Sequence, residues 1–117
     1  MKYLALLYSD YSTDPDFGSP EFAEMMAAYQ AANDRFVADN VMAGGEALQG
    51  PETATTLKVR NGKTETMDGP FAETKEQLGG FYIFDCENLD EAIKYAAMIP
   101  AAKEGSVEIR PIMELPE

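Results

Sequence analysis

The chain has 117 residues, 45% of them hydrophobic and 26% charged, which predicts a single folded domain over residues 1–117 and excludes a disordered chain. Twenty-one acidic against nine basic side chains leave a net charge of -12, so the field of the molecule repels nucleic-acid phosphates and anionic membrane surfaces alike. Histidine is absent and Cys86 is the sole cysteine, which removes histidine-based nucleophile systems, histidine zinc sites and an internal disulfide, and suits a buried thiol in a reducing cytoplasm.

Lys2 to Tyr8 is nearly continuously apolar, is far too short to span a membrane and is followed by no small-residue cleavage site. It reads as a central strand covered on both faces. Residues 9–19 form a polar loop whose Asp10, Asp14 and Asp16 lack the spacing and terminal glutamate of a calcium loop. Ser19-Pro20-Glu21 supplies an N-cap, a proline at the first helical position and an acid in the first turn. The helix it opens carries Phe22, Met25, Met26, Tyr29, Ala32, Phe36 and Val37 as an apolar stripe for the core and ends near Asn40. Val41 to Leu48 predicts a second strand, with a bulge or close backbone approach at Gly44-Gly45.

Asn61-Gly62 is a strong two-residue turn signal between Thr55–Arg60 and Lys63–Met67. It sets Lys58 opposite Glu65, points Leu57 and Val59 the other way, and predicts a half-buried hairpin. Phe81 to Cys86 is another strand apolar on both faces. Asn88-Leu89-Asp90-Glu91 then caps a helix with Leu89, Ala92, Ile93, Ala96 and Ala97 inward, stopped by Ile99-Pro100. In the last strand Val107, Ile109, Met113 and Leu115 alternate with polar residues, and Pro111 favours an edge position.

This order predicts an α+β fold: a ferredoxin-like split βαβ sheet with an inserted β-hairpin and both helices on one face. In the two central strands Leu4, Leu6, Phe81 and Ile83 serve one face, yet Tyr3, Leu7, Tyr82 and Phe84 are equally apolar on the other. Helices cover only one of these. A partner subunit packing sheet to sheet is the economical second cover and gives a homodimeric α+β barrel; the alternative is the hairpin folding over that face in a monomer.

Between the hairpin and the third main strand runs Met67-Asp68-Gly69-Pro70-Phe71-Ala72-Glu73-Thr74-Lys75-Glu76-Gln77-Leu78-Gly79-Gly80-Phe81-Tyr82. Gly69 permits positive φ and Pro70 fixes its own, so Asp68, Phe71 and Glu73 sit on a stiff corner. Such a corner either displays a carboxylate and a ring to a ligand, or is a tight turn whose Asp caps its backbone and whose Phe plugs the core. The segment closely resembles the signature of the DGPF-type branch of the YCII-related proteins. The resemblance extends to Met1–Tyr8, Gly44–Leu48, Leu89–Ala92, Ile99–Ala102 and Val107–Pro111. It implies a ferredoxin-like dimer and, often, a gene beside an extracytoplasmic-function sigma factor. Relatives in the wider group include a dechlorinating enzyme of aromatic degradation and carry a His–Asp pair proposed to be catalytic; this chain has no histidine for it.

Acid–base chemistry is therefore left to carboxylates desolvated in a cleft. Asp68 on the corner and Glu46 beside the glycine pair are the catalytic candidates, with Glu73 following. Phe71, Glu73 and Lys75 on the corner, Arg110 beside Pro111, and Tyr8 and Tyr82 are the ligand-binding candidates; Arg60 is a further cation, and Arg110 offers the best fork for a carboxylate. Each has a structural alternative: a lysine pair for Glu46, a turn cap for Asp68, solvation for Glu73, an inter-subunit salt bridge for Arg110, and packing for the tyrosines. No set of acids has the spacing of a metal cage, and no cofactor is implied. Two readings follow. The first is a protein that binds or transforms a small organic acid or aromatic metabolite in a cleft at the sheet and dimer interface, turnover being left open. The alternative is a non-enzymatic interaction protein whose acidic surface meets a basic partner, linked to a sigma factor.

Overall fold

The computed structural model describes residues 1–116. In chain order the strands are β1 (Lys2–Ser9), β2 (Met42–Ala47), β3 (Thr55–Arg60), β4 (Lys63–Asp68), β5 (Gln77–Asp85) and β6 (Ser106–Pro111). The helices are α1 (Pro20–Ala38), α2 (Leu89–Ala96) and the single turn α3 (Ala101–Glu104). β2-β5-β1-β6 form one sheet in that order, antiparallel throughout, and β3-β4 form a separate ribbon. The fold is α+β, and the four-stranded sheet stays open.

Local chemistry sets the ends of the elements. The Ser19 hydroxyl accepts from the Phe22 N–H at 3.1 Å with Pro20 following, and the Asn88 side chain accepts from the Glu91 N–H at 2.9 Å. Asn40 closes α1 in the left-handed region at φ 55°, a conformation that asparagine tolerates. The Asn61-Gly62 turn pairs Lys58 with Glu65 and Arg60 with Lys63, the register that the turn residues predict. β2 slips by one residue between Met42 and Gly44, a bulge at Ala43 just before the Gly44-Gly45 pair where one was expected, and as a result Met42 and Gly45 both face the helices.

Three cross-sheet rows face the helices. Met42, Phe84 and Tyr3 make the first, Gly45, Tyr82, Ala5 and Ile109 the second, and Ala47, Gly80, Leu7 and Val107 the third. Phe36 of α1 is fully buried over the first two, its ring centroid 4.9 Å from Phe84, 5.4 Å from Tyr82 and 6.0 Å from Tyr95, all edge-on.

Four local expectations are revised. In α2 the buried residues are Ala92, Tyr95 and Ala96, while Leu89 and Ile93 are about half exposed and Ala97 faces solvent. The Tyr95 ring takes the inward position because it packs on Phe36 and Phe84 while its hydroxyl reaches Asp39 at 2.8 Å. On α1, Ala32 and Phe36 are core, whereas Met26 and Val37 are exposed. The last strand stops at Pro111, because that residue already pairs with Tyr3 and β1 begins at Lys2; Met113 and Leu115 are exposed. The hairpin is not half-buried: every residue of β4 is exposed and only Thr56 of β3 is partly covered.

The hairpin therefore does not fold over the open face of the sheet. Gly69, at φ 104°, and Pro70 lead it away from the core, and the radius of gyration of 16.3 Å exceeds the roughly 13 Å of a compact chain this long. The molecule is only 18 Å thick, one sheet and one helical layer. Leu4, Leu6, Phe81 and Ile83 remain half-covered on the far side. Phe36→Ala should cost about 3–5 kcal/mol, read from chemical denaturation with the denaturant slope unchanged, because it empties the junction of α1, α2 and the sheet.

Candidate functional site

The third helix-facing row is small where β2 and β5 meet. Ala47 and Gly80 project almost nothing towards the first half of α1, and Gly45 in the next row adds no side chain either. Gly80 is obligatory here, since a Cβ would stand 2.8 Å from the Glu46 carbonyl oxygen. The helix, held to the sheet by Phe36, spans this shortfall and leaves a cavity of about 380 Å³ open along one side.

Met25, Met26 and Tyr29 of α1 form its roof, with Met42, Leu7 and Tyr82 on the sheet side. The stripe read as core thus divides: Ala32 and Phe36 in the second half of α1 anchor the helix, and Met25, Met26 and Tyr29 line space. Tyr11 and Asp14 close the mouth from the loop after β1, where Asp10 caps a short turn by accepting from the Ser12 N–H at 3.0 Å and its hydroxyl at 2.6 Å. The Tyr11 hydroxyl lies over Gly79, close enough that a Cβ there would stand 2.5 Å from it.

The polar groups are few and directed. Tyr82 donates its hydroxyl to Asn33 Oδ1 at 2.6 Å, tying β5 to α1 across the cavity. The Tyr11 and Tyr29 hydroxyls make no side-chain hydrogen bond among the described residues. Burial raises the pKa of all three phenols, with Asp14 and Glu52 adding to it at Tyr11, and Tyr82 and Asp14 at Tyr29, so all are neutral hydrogen-bonding groups near pH 7. The Asp14 carboxyl is likewise raised, first by desolvation and then by the like charges of Glu104 and Asp10. Among the described residues no three His, Cys, Asp or Glu side chains are grouped to hold a metal ion.

The residues singled out from sequence are dispersed. Tyr82 lines the cavity. Glu46 borders it, but its pairing with Phe81 directs its side chain to the open face, in a row with Leu6 and Glu108. Arg110 stands on that same face beside Leu4 and donates from Nε to Glu108 Oε2 at 2.6 Å. Tyr8 alternates with Leu7 onto the open face, so Tyr8 and Tyr82 do not share a pocket.

On the corner Asp68, Glu73 and Lys75 are exposed, and Phe71, 82% exposed, plugs no core. The corner itself is ordered by hydrogen bonds: Thr56 donates its hydroxyl to the Gly69 carbonyl at 2.8 Å, and the Gln77 amide donates to the Thr74 carbonyl at 2.7 Å. A second depression, of about 540 Å³, lies at the base of the hairpin, lined by Leu48, Pro51, Thr53, Pro70, Gln77 and Leu78 among others. Among the described residues it contains no ionisable side chain and none of the corner candidates.

Sequence reasoning missed Tyr11, Asp14, Tyr29 and Asn33. Its available signal was a wide apolar stripe on a helix predicted to lie over strand ends that carry Gly45, Gly79 and Gly80: bulk above, none below.

An antiparallel α+β sheet with one open face and a tyrosine- and methionine-lined cavity under its first helix is the framework onto which the comparisons fall. Residues 1–116 match the YCII-related domain. A protein of Rhizobium meliloti (strain 1021) described as uncharacterised is 39% identical over 114 residues, covering 96% of this chain and 92% of that protein. The chain belongs to the YCII-related family.

Asp14→Asn tests the electrostatics of the mouth. A carboxyl whose folded pKa is raised adds relative stability below its unfolded value and loses it as pH rises through the folded value. The variant should therefore melt higher than wild type at neutral pH, and the difference should vanish at about pH 3, below the ordinary carboxyl value of 3.8.

Proposed function

We propose that this chain is a small-molecule-binding protein whose site is the cavity between α1 and the sheet, and that it works as a homodimer of ferredoxin-like protomers. The observation that carries the first part is the cavity itself. It has the size of a compact ligand site, apolar walls of Met, Leu and aromatic side chains, and a few convergent hydroxyls. Its walls suit an aromatic or other apolar molecular body, and the Tyr11 hydroxyl, which makes no side-chain hydrogen bond among the described residues, suits a polar substituent on it, with the Tyr29 hydroxyl already engaged by the Ala101 backbone. Asp14 is the acid best placed to act on such a molecule, since Asp68 lies on the distant corner. Binding comes before any claim of turnover.

Thermal melts of wild type and of Ala47→Phe, which fills the cavity floor from an exposed strand end, test this with a panel of apolar compounds of different charge. A ligand at a hundred times its dissociation constant adds about 2.7 kcal/mol, roughly ten degrees for a chain of this size. The shift should appear in wild type and be lost in Ala47→Phe. No shift with any compound would instead favour the interaction-protein reading, with a basic partner such as a sigma factor.

The dimer answers the open face. Leu4, Leu6, Phe81 and Ile83 form two apolar rows on the side of an 18 Å layer that no helix covers, and the hairpin leaves them free. A second copy brings an identical sheet and closes the barrel that one protomer leaves open. Light scattering should give twice the chain mass, and Leu6→Lys should give a folded monomer, because Leu6 is half-covered within one chain and its loss leaves the buried core intact. A monomeric wild type would overturn the assembly without touching the cavity.

A further inference from the structure

The charge of the cavity narrows the class of occupant. None of the nine Lys and Arg residues lines it, whereas Asp14 stands at its mouth with a carboxylate that makes no hydrogen bond or ion pair among the described residues. The charged groups that act on Asp14 are Glu104 and Asp10, both acidic. Lys75 acts on Asp10 and does not line the cavity. These acids are not grouped as a three-ligand metal cage, so they act on an occupant as one contact and a surrounding field. A carboxylate entering here would meet no cation to replace its hydration and would be repelled at the entrance.

Behind the mouth the walls are aromatic and thioether. Tyr11, Tyr29 and Tyr82 give them an aromatic lining, which suits a cation better than an anion, and Met25, Met26 and Met42 offer polarisable sulfur to an apolar body. From this pairing we infer that the occupant is a monoamine: an organic ammonium ion whose charged end is held at Asp14, flanked by the Tyr11 and Tyr29 hydroxyls, and whose aromatic or aliphatic body lies under α1. The inference rests on the reading of the cavity as a binding site and adds to it the charge class, which excludes organic acids.

Three probes of one shape separate the two claims: 2-phenylethylamine, 2-phenylethanol and 3-phenylpropionate, titrated calorimetrically into the full chain at moderate and at high salt. The amine should bind about tenfold or more tightly than the carboxylate, with the alcohol between. Asp14→Asn should bring the amine to the affinity of the alcohol and leave the alcohol unchanged. Because a chain of charge -12 attracts any cation to its surface, the ε-methyl signals of labelled methionines supply the location. Met25, Met26 and Met42 should shift on titration while exposed Met113 stays fixed, and the preference for the amine should persist when salt screens the surface. A carboxylate that binds as well as the amine, or an amine preference untouched by Asp14→Asn, overturns the inference and leaves the cavity as a binding site. Failure of all three probes to shift the cavity methionines overturns both.

Discussion

The seating of Phe36 on Phe84, Tyr82 and Tyr95 is the contact on which the rest of the molecule depends. Four aromatic rings at one junction fix the height and angle of α1 over the sheet and bind α2 to the same place, by dispersion and edge-on packing that no single hydrogen bond here approaches. Since a helix is stiff, pinning its second half also determines where its first half runs. There β2 and β5 offer only Ala47 and Gly80, and the helix does not settle onto them. The cavity is thus the consequence of a well-filled end and a glycine-floored end under one rigid rod.

The two glycine-rich strand segments have separate physical roles in this. Gly80 lets β5 approach β2, because its missing Cβ would collide with the Glu46 carbonyl. Gly45 sits beside the Tyr82 ring, where a Cβ would come within 3.1 Å of it. Backbone proximity and empty volume come from the same residues. The Tyr82 hydroxyl, donating to Asn33 at 2.6 Å, then braces the gap so that it stays open as a cavity and does not collapse onto the sheet.

Polarity is divided between the two faces of the sheet. The helix side holds the core and a cavity whose ionisable groups, among the described residues, are the Asp14 carboxyl and neutral phenols. The far side holds apolar rows bounded by the Glu108–Arg110 pair and by Glu46. The proposed ligand site on one face and the proposed assembly surface on the other are compatible, because the sheet separates them and β1 and β5 contribute alternate residues to each.

Much of the fold was legible in the sequence because its signals are local. Ser19-Pro20, Asn88 with Glu91, and Asn61-Gly62 act through backbone geometry within a few residues, so they dictate element ends and hairpin register wherever the chain finally packs. Membership of the YCII-related family was equally readable from the run of residues after Met67 and is borne out. What only the tertiary structure decided is whatever depends on which side chain wins a shared space: Tyr95 over Ile93 on α2, the end of β6 where β1 runs out, and the exposure of the whole hairpin. The site belongs to this second kind. Tyr11, Asp14, Tyr29 and Asn33 lie on a loop and a helix, and they face one volume with Tyr82 only because Phe36 fixes the helix above a floor made small by Gly45, Ala47 and Gly80, a coincidence of heights that no residue spacing encodes.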